Sequence, residues 1–185
     1  MIKDILHDTE VRMGKSVETL RLELSHIRTG KANPALLDNI RVSCYDQEMP
    51  LRQVANIAVP DPRQIVVQPW DKSILPQVER AILKADLGLN PSNDGSFIRI
   101  PIPPLNEERR RDLVKAVGKL VEETKVALRN IRRDANDQLK AGEKSGEFAE
   151  DESHRALDKV QELTDKKVAD LEQLMRRKEE EIMEV

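Results

Sequence analysis

The feature that most constrains the fold of this chain is the period of its apolar residues, which changes twice. In residues 1–29 apolar side chains recur every three or four positions, as on one face of an amphipathic helix. Residues 30–104 instead contain short segments rich in valine and isoleucine, separated by Asp, Asn, Pro and Gly, which is the pattern of strands and turns. The helical period returns at residue 105 and continues to residue 185. The sequence therefore predicts helices at both ends of the chain and a mixed region between them.

We predict three long helices, each with one apolar stripe. The first covers residues 1–29 and ends near Gly30, since glycine suits a helix C-terminal cap. The second begins after Asn106, a good N-cap residue, and runs to about Ala141. The third follows "GEKSGE" and has a capping Asp or Ser within residues 151–153. Because an amphipathic helix must bury its stripe, the first helix is expected to pack against the other two.

The middle region reads as four strands and one helix. The predicted strands are "NIRVSCY", "VANIAV", "QIVVQPW" and "SFIRIPI", and the helix is "SILPQVERAILKADLG", with Gly88 as its stop. The fold class that follows is a two-domain α+β protein. An antiparallel three-helix bundle is formed by residues 1–29 and 105–185, and a small α+β domain of residues 30–104 is inserted into it through two connecting strands.

Composition narrows the class of function. Charged residues make up 35% of the chain and aromatic residues only 2%, which is typical of long solvent-exposed helices rather than of a large ligand pocket. The single cysteine, Cys44, cannot form an internal disulfide, and the three histidines lack metal-ligand spacing. No apolar run approaches the roughly 20 residues that span a bilayer, and the N-terminal residues lack the apolar segment of a signal peptide. We therefore expect a cytoplasmic protein without a metal ion or a membrane partner.

Candidates for catalysis are weak. Asp61, Arg63 and Asp71 lie near Trp70 in the sequence, but "VPDPRQ" is better explained as a turn between strands. The lone cysteine and the histidines have no spacing that pairs a nucleophile with a base, and the chain has no glycine-rich phosphate loop. We assign no catalytic residue and no cofactor, and we expect that the chain is not an enzyme.

A cluster of arginines stands out in the second predicted helix. The segment "VALRNIRRDANDQLK" contains Arg129, Arg132 and Arg133. At about 100° per residue, Arg132 lies about 60° to one side of Arg129 and Arg133 about 40° to the other, away from the apolar stripe. Four further cations share this face over roughly 40 Å of helix: Arg111, Lys115, Lys125 and Lys140.

Two explanations of this basic face are open. A charged helix face is usually solvated, and the third helix has fourteen acidic against eight basic residues over 141–185, so it could pair these cations. However, arginine suits bidentate phosphate contacts better than solubility requires, and Arg28 and Lys31 form a second basic spot at the domain junction. With one Trp, one Tyr and two Phe, stacking on single-stranded bases is disfavoured, so the ligand would be the backbone of structured RNA or DNA.

Five segments of the chain, in order and spacing, resemble the ribosome recycling factor family. They are "IRTGKANP", "VANIAVPDPR", "ADLGLNPSNDG", "PPLNEERRRDLVK" and "VALRNIRRDAN". The resemblance covers essentially the whole chain. It implies an L-shaped molecule with the outline of a transfer RNA, in which a three-helix bundle carries a smaller α+β domain on two hinge strands.

The resemblance also implies a function in translation. Members of the family bind the post-termination 70S ribosome and, with elongation factor G and its GTP hydrolysis, separate it into subunits for another round of protein synthesis. The recycling factor itself is not the GTPase. The implied partners are ribosomal RNA of the large subunit, the 70S ribosome and elongation factor G, and we expect a monomer.

The resemblance assigns roles to particular residues. It implies that six cations bind RNA: Arg28, Lys31, Arg110, Arg129, Arg132 and Arg133, with Arg132 the leading candidate. The hinge is expected on the two strands that connect the domains: Thr29, Gly30 and Lys31 on one, and Pro103, Pro104 and Leu105 on the other. Glycine can absorb large changes of φ and ψ, whereas the prolines fix φ and leave ψ free.

The chain departs from the pattern of the family in two places. Cys44, Tyr45 and Asp46 stand where a pair of tyrosines and a glycine would be expected, in a predicted hairpin of the small domain. Asn106 stands where threonine is usual, which exchanges one good N-cap residue for another.

An alternative from a different class remains open. The chain could be a helical structural or adaptor protein that binds protein partners through the charged face of its bundle. Salt-dependent binding to purified large subunits separates the two, because contacts with RNA phosphates release counterions and weaken steeply as salt rises.

Overall fold

A computed structural model describes residues 1–184, and the chain forms two compact units. The helical unit comprises Met1–Leu24 and the chain from Arg111 onward, and the small unit comprises Ser25–Arg110. The sequence placed the boundaries at residues 29/30 and 104/105. In the structure, residues 25–29 and 105–110 belong instead with the small unit.

Residues 1–184 contain five α-helices and six strands. In chain order these are α1 (Ile2–Ser25), β1 (Arg41–Cys44), β2 (Gln47–Pro50), α2 (Leu51–Val54), β3 (Ala55–Asp61), β4 (Gln64–Pro69), α3 (Leu75–Lys84), β5 (Ser92–Asn93), β6 (Ile98–Pro101), α4 (Glu107–Lys144) and α5 (Glu150–Met183). Short 3₁₀ helices at Pro34–Leu37 and Lys72–Ile74 complete the small unit. The predicted two-domain α+β class is confirmed.

Helix α1 is shorter than the sequence predicted. It ends at Ser25, although the prediction extended it to residue 29. The residues that follow, "HIRT", include β-branched side chains and histidine, which are only moderate helix formers. Gly30 does adopt a left-handed conformation, with φ +76°, but it stands beyond the end of the helix and so is not its C-terminal cap.

The other two long helices differ in how well their ends were predicted. Asn106 is confirmed as the N-cap of α4, because its Oδ1 accepts a hydrogen bond from the backbone N–H of Arg109 at 2.7 Å. Helix α4 continues to Lys144 rather than to Ala141. The predicted cap of α5 within residues 151–153 is wrong: the N-cap is Ala149, whose backbone N–H donates to the Glu152 carboxylate at 3.2 Å.

The apolar stripes of α1, α4 and α5 form the core of the helical unit, as their period predicted. Leu20, Leu128 and Leu171 are each fully buried, one from each helix. Four buried positions are polar, which the apolar pattern missed: Thr9, Ser153, Thr164 and Lys178. Thr9 and Thr164 satisfy their hydroxyls by donating to the carbonyl four residues earlier in their own helix, each at 2.7 Å. A threonine can therefore occupy a core position without an unpaired donor.

The small unit is built on two antiparallel sheets. One has the strand order β3-β4-β6-β5, and the other is the β1-β2 hairpin. Helix α3 lies against them, with Val78 and Ile82 buried in the same core as Ile65 and Ile100. All four predicted strands are present, and β2 is the second strand of the predicted hairpin that contains Cys44, Tyr45 and Asp46. The two-residue strand β5 was not predicted.

Helix α3 also ends earlier than predicted. It stops at Lys84, and the chain leaves the helix through Asp86 and Gly88, both at positive φ. Aspartate tolerates the left-handed conformation better than most residues, so the turn begins before the predicted stop at Gly88.

Candidate nucleic-acid interface

The exposed part of the basic face on α4 is centred on Arg129 and Arg133. Both side chains are exposed, and within residues 1–184 neither forms an ion pair. Lys140, about two helical turns beyond Arg133, is exposed in the same way. Long cationic side chains without protein partners keep their hydrogen-bond donors available for an anionic ligand.

One edge of this face is used for packing against α5. The Arg132 guanidinium donates to Gln161 Oε1 at 3.3 Å, and the residue is only partly exposed. Lys125 lies deeper, with 17% of its side chain exposed, and pairs with Glu122 and with Glu172 of α5 at 3.7 Å and 3.6 Å. Pairing with the third helix, one of the two explanations given by the sequence, therefore applies to Lys125.

The other edge is neutralised by α1. Asp134 is adjacent in sequence to Arg133, yet its carboxylate accepts a hydrogen bond from the Arg12 guanidinium of α1 at 3.0 Å. Because the Asp134 carboxylate is paired with Arg12, it neutralises less of the positive charge of Arg129 and Arg133 than its place in the sequence suggests. The structure thus leaves a strip of cations between two paired edges.

The remaining predicted RNA-binding residues lie in the small unit and are less accessible. Arg28 is half-buried, and its guanidinium makes a long contact of 3.4 Å with the carbonyl oxygen of Leu87. Lys31 and Arg110 are also half-buried. The Nε atoms of Arg28 and Arg110 are buried and have no hydrogen-bond partner in the described chain. A buried unpaired N–H is costly, so these two side chains have unused donor capacity.

The predicted hinge residues Gly30 and Leu105 lie side by side. A Cβ added to Gly30 would stand 3.2 Å from Leu105 Cγ and 3.3 Å from the Leu105 backbone nitrogen. Together with the positive φ of Gly30, this close approach explains why glycine is required. Both residues lie between regular elements, after the end of α1 and before the start of α4.

Each connecting strand is anchored to the same β-turn just beyond these residues. Ala32 donates its N–H to the carbonyl of Pro62 at 2.6 Å, and Ile102 donates to the carbonyl of Arg63 at 2.8 Å. The turn is closed by Asp61, which accepts from the Arg63 N–H at 2.8 Å. The interpretation of "VPDPRQ" as a turn is confirmed. The sequence did not predict that this turn is hydrogen-bonded to both connecting segments. Residues 32 and 102 are far from the turn in the sequence, and no local pattern indicates a contact between them.

Within residues 1–184, no group of three or more His, Cys, Asp or Glu side chains could hold a metal ion. None of the helices in this part of the chain is long and apolar enough to cross a membrane.

Comparison with known proteins gives a consistent family. A family model described as ribosome recycling factor matches residues 20–183. The ribosome-recycling factor of Symbiobacterium thermophilum is 57% identical over 185 residues and covers 100% of both chains. That of Halalkalibacterium halodurans is also 57% identical over 185 residues, with 100% of each chain covered.

Solved structures of this family share the fold. A solution structure of ribosome recycling factor superposes with a TM-score of 0.82 at 42% identity, covering 100% of this chain and 98% of that one. A second structure presents models for the T. thermophilus ribosome recycling factor and the E. coli elongation factor G bound to the E. coli post-termination complex. It superposes with a TM-score of 0.69 at 48% identity and covers 99% of each chain.

Proposed function

The chain belongs to the ribosome recycling factor family, and from this premise we propose that it binds the post-termination ribosome and, with elongation factor G and GTP, splits it into subunits. It acts as a translation factor and not as an enzyme. The observation that carries this function is the similarity to ribosome-recycling factors along the entire 185 residues, at 57% identity. The alternative of a helical adaptor protein is not favoured, because similarity of this extent includes both units. We place the activity in the cytoplasm.

The helical unit is proposed to anchor the protein on ribosomal RNA of the large subunit. Arg129 and Arg133 are exposed and unpaired, and guanidinium groups bind phosphate oxygens through two parallel hydrogen bonds. Arg132 would join them if its guanidinium left Gln161, a neutral partner at 3.3 Å. Such an exchange costs little, because a hydrogen bond between exposed groups contributes only about 0.5–1.5 kcal/mol.

Arg28, Lys31 and Arg110 are proposed as a second group of RNA contacts. The support is the unused donor capacity of Arg28 and Arg110, whose Nε atoms are buried without a partner in the described chain. A small turn of either side chain toward a phosphate would satisfy that donor. These three contacts are expected to add less affinity than Arg129 and Arg133, since their side chains must first become more exposed.

The hinge is proposed at Thr29–Lys31 and at Pro103–Leu105. Helices α1 and α4 are stiff, and Ala32 and Ile102 are hydrogen-bonded to the turn at Pro62 and Arg63. Changes of φ and ψ would therefore concentrate in the two irregular segments between these fixed points. A small unit that moves while the helical unit stays on RNA is the step in which elongation factor G would do mechanical work.

Co-sedimentation with ribosomes tests the function. The purified chain should pellet with 70S ribosomes and with isolated large subunits, and less with small subunits. The logarithm of its affinity should fall linearly with the logarithm of salt concentration, because neutralised phosphates release counterions. Splitting of post-termination ribosomes, followed by light scattering, should require both elongation factor G and GTP. A chain that binds ribosomes equally at low and high salt would contradict the proposed anchor.

A further inference from the structure

The turn between β3 and β4 binds both of the segments that connect the small unit to the long helices. It consists of Pro62 and Arg63, which follow the last residue of β3. The Pro62 carbonyl accepts from the Ala32 N–H at 2.6 Å, and the Arg63 carbonyl accepts from the Ile102 N–H at 2.8 Å. Because the two acceptors belong to adjacent residues, whose α-carbons are about 3.8 Å apart, the two connecting segments are held at neighbouring points.

The sequence of this turn makes it stiff. Neither Pro62 nor Arg63 has a positive φ, so the turn is not one of the mirror-image types that most two-residue hairpins use. Aspartate at the first position and proline at the second favour a type I turn instead. The proline ring fixes φ of Pro62 and restricts Asp61, the residue before it, to an extended conformation. A type I turn splays the strands that it joins, and β3 has a register shift between Ala58 and Asp61.

The Asp61 side chain orients the carbonyl that holds the first connecting segment. Its Oδ1 accepts from the Arg63 N–H at 2.8 Å. That N–H and the Pro62 carbonyl belong to the same planar peptide group and point in opposite directions. Without the hydrogen bond to Asp61, this peptide group could rotate about ψ of Pro62 and φ of Arg63, which would turn the carbonyl away from Ala32. The Arg63 carbonyl depends less on Asp61, because its bond to Ile102 continues the pairing of β4 with β6.

The hydrogen bonds at this turn leave only short lengths of chain in the proposed hinge. At the other end of the hinge, a Cβ on Gly30 would lie 3.2 Å from Leu105 Cγ, so the two segments also lie side by side there. One residue separates Gly30 from Ala32, and two residues separate Ile102 from Leu105. Two short segments that are held side by side at both ends rotate together, so bending concentrates in these few residues.

We propose that Asp61 is a positioning residue for the splitting of the ribosome. By fixing the turn it keeps the segment after α1 bound next to the segment before α4, so that a force on the small unit is transmitted through both. Asp61 acts through the backbone of the turn and not through a contact with RNA. This inference rests on the proposed function, because the hinge matters only if the small unit moves during splitting.

The variant Asp61→Ala, made in the full chain, tests this role. Hydrogen exchange followed by NMR should show the Ala32 amide exchanging at least about 10-fold faster, because its acceptor carbonyl can turn away. The increase at Ile102 should be smaller. Splitting of post-termination 70S ribosomes by elongation factor G and GTP, followed by stopped-flow light scattering, should slow several-fold. Affinity for isolated large subunits should stay within about 2-fold of wild type, since the arginines of α4 are distant from this site in function and unchanged.

A conservative variant and a matched control separate positioning from stability. In Asp61→Asn an amide oxygen can accept the same hydrogen bond, so amide protection and the splitting rate should return to near the wild-type values. Asp94 closes another turn of the same unit, where its Oδ1 accepts from the Ser96 and Phe97 N–H groups at 3.0 Å and 2.9 Å. Asp94→Ala should therefore cost stability, yet leave exchange at Ala32 and the splitting rate unchanged.

Each contrary result has a definite meaning. Faster exchange at Ala32 with a normal splitting rate would show that the turn is only structural, and unchanged exchange in Asp61→Ala would show that the carboxylate does not hold it. Equal slowing by Asp94→Ala would assign the effect to the general stability of the small unit. All three results overturn the proposal. A wild-type chain that neither binds nor splits ribosomes would instead refute the proposed function, while exchange in the free chain still decides whether Asp61 holds the turn.

Discussion

The two units of this chain expose different chemistry. The helical unit presents exposed, unpaired arginines on α4, with Arg129 and Arg133 at their centre. The small unit keeps Arg28 half-buried against Leu87 and exposes Trp70 instead. A strip of guanidinium groups binds an extended polyanion, whereas a few rigid aromatic side chains bind a shaped protein surface. The difference teaches that the two units present different kinds of surface: uncompensated cations on α4 of the helical unit, and a half-buried cation and, elsewhere, an exposed indole in the small unit.

Charge reversal on α4 should cause the largest loss of affinity for the large subunit. The double variant Arg129→Glu, Arg133→Glu should lower affinity for large subunits roughly 100-fold at low salt, since it replaces two phosphate contacts by repulsion. Filter binding over a salt series measures both the affinity and the slope. The free energy of unfolding should change by no more than about 1 kcal/mol, because both side chains are exposed.

The matched control reverses two exposed arginines on α5. Arg176→Glu, Arg177→Glu makes the same change of net charge in the same unit. Its affinity should stay within a few-fold of wild type. If both double variants lose affinity equally, general electrostatic attraction and not the face of α4 is responsible.

The packing of the helical unit can be disturbed independently of the small unit. A Cβ at Gly142 would lie 2.1 Å from Phe148 Cε2, so Gly142→Ala must displace that ring from the end of the bundle. Overpacking costs about 1–3 kcal/mol, which should exceed the gain of about 1 kcal/mol in helix propensity. Thermal unfolding followed by circular dichroism should show a lower Tm.

Gly118→Ala is the control, because Gly118 is in the same helix and a Cβ there meets nothing within 4 Å. It should stabilise the protein by up to about 1 kcal/mol. Destabilisation by both substitutions would show that α4 needs glycine for a reason other than the contact with Phe148.

For a substitution in the proposed hinge, we expect a smaller loss of stability than for Gly142→Ala. We also expect slower ribosome splitting without a change in affinity for large subunits. Gly30→Ala forces an alanine to φ +76° and against Leu105, at a cost of about 1–2 kcal/mol. Ribosome splitting with elongation factor G should slow several-fold while affinity for large subunits stays at the wild-type level. Stopped-flow light scattering beside an equilibrium binding curve measures both.

Gly95→Ala tests whether strain alone explains such a result. Gly95 has φ +92° in the small unit, but a Cβ there meets nothing within 4 Å. It should lose a similar amount of stability and split ribosomes at the normal rate. A normal splitting rate for Gly30→Ala would argue against a hinge at this position.

The smallest expected effect concerns the pH dependence of the small unit. Because the pKa of Asp71 is depressed in the folded state, chiefly by the Tyr45 hydroxyl, its contribution to stability is present above the unfolded pKa of about 3.9. It is lost as the pH falls through the folded value. Tyr45→Phe should raise the pKa of Asp71 in an NMR titration.

Asp94 serves as the internal reference for that titration. Its pKa is lowered by the backbone N–H groups of Phe97 and Ser96, which Tyr45→Phe does not touch. An unchanged pKa of Asp71 in the variant would show that the hydrogen bond from Tyr45 is not maintained in solution.

The pattern of apolar and β-branched residues was sufficient to predict the three long helices, the strands β1, β3, β4 and β6, and the two-domain class. The errors lie at element ends and at polar core positions. Helix α1 stops at Ser25, and α5 begins at Ala149, whose backbone is capped by Glu152. Thr164 is buried although it is polar. In each case a local hydrogen bond or a change of chain direction outweighs the average preference on which sequence patterns depend.

For the site, the sequence by itself determined which face of α4 carries the arginines, because helical geometry fixes the angle of every side chain about the axis. Only the tertiary structure decided which of them remain available. Lys125 forms an ion pair with Glu172 of α5, and Arg132 donates a hydrogen bond to Gln161 of α5. Asp134 forms an ion pair with Arg12 of α1. Arg132 and Gln161 are 29 residues apart in the sequence, and Arg12 and Asp134 are 122 residues apart. A periodic pattern describes one element at a time, whereas pairing between elements depends on how their faces meet in the folded chain.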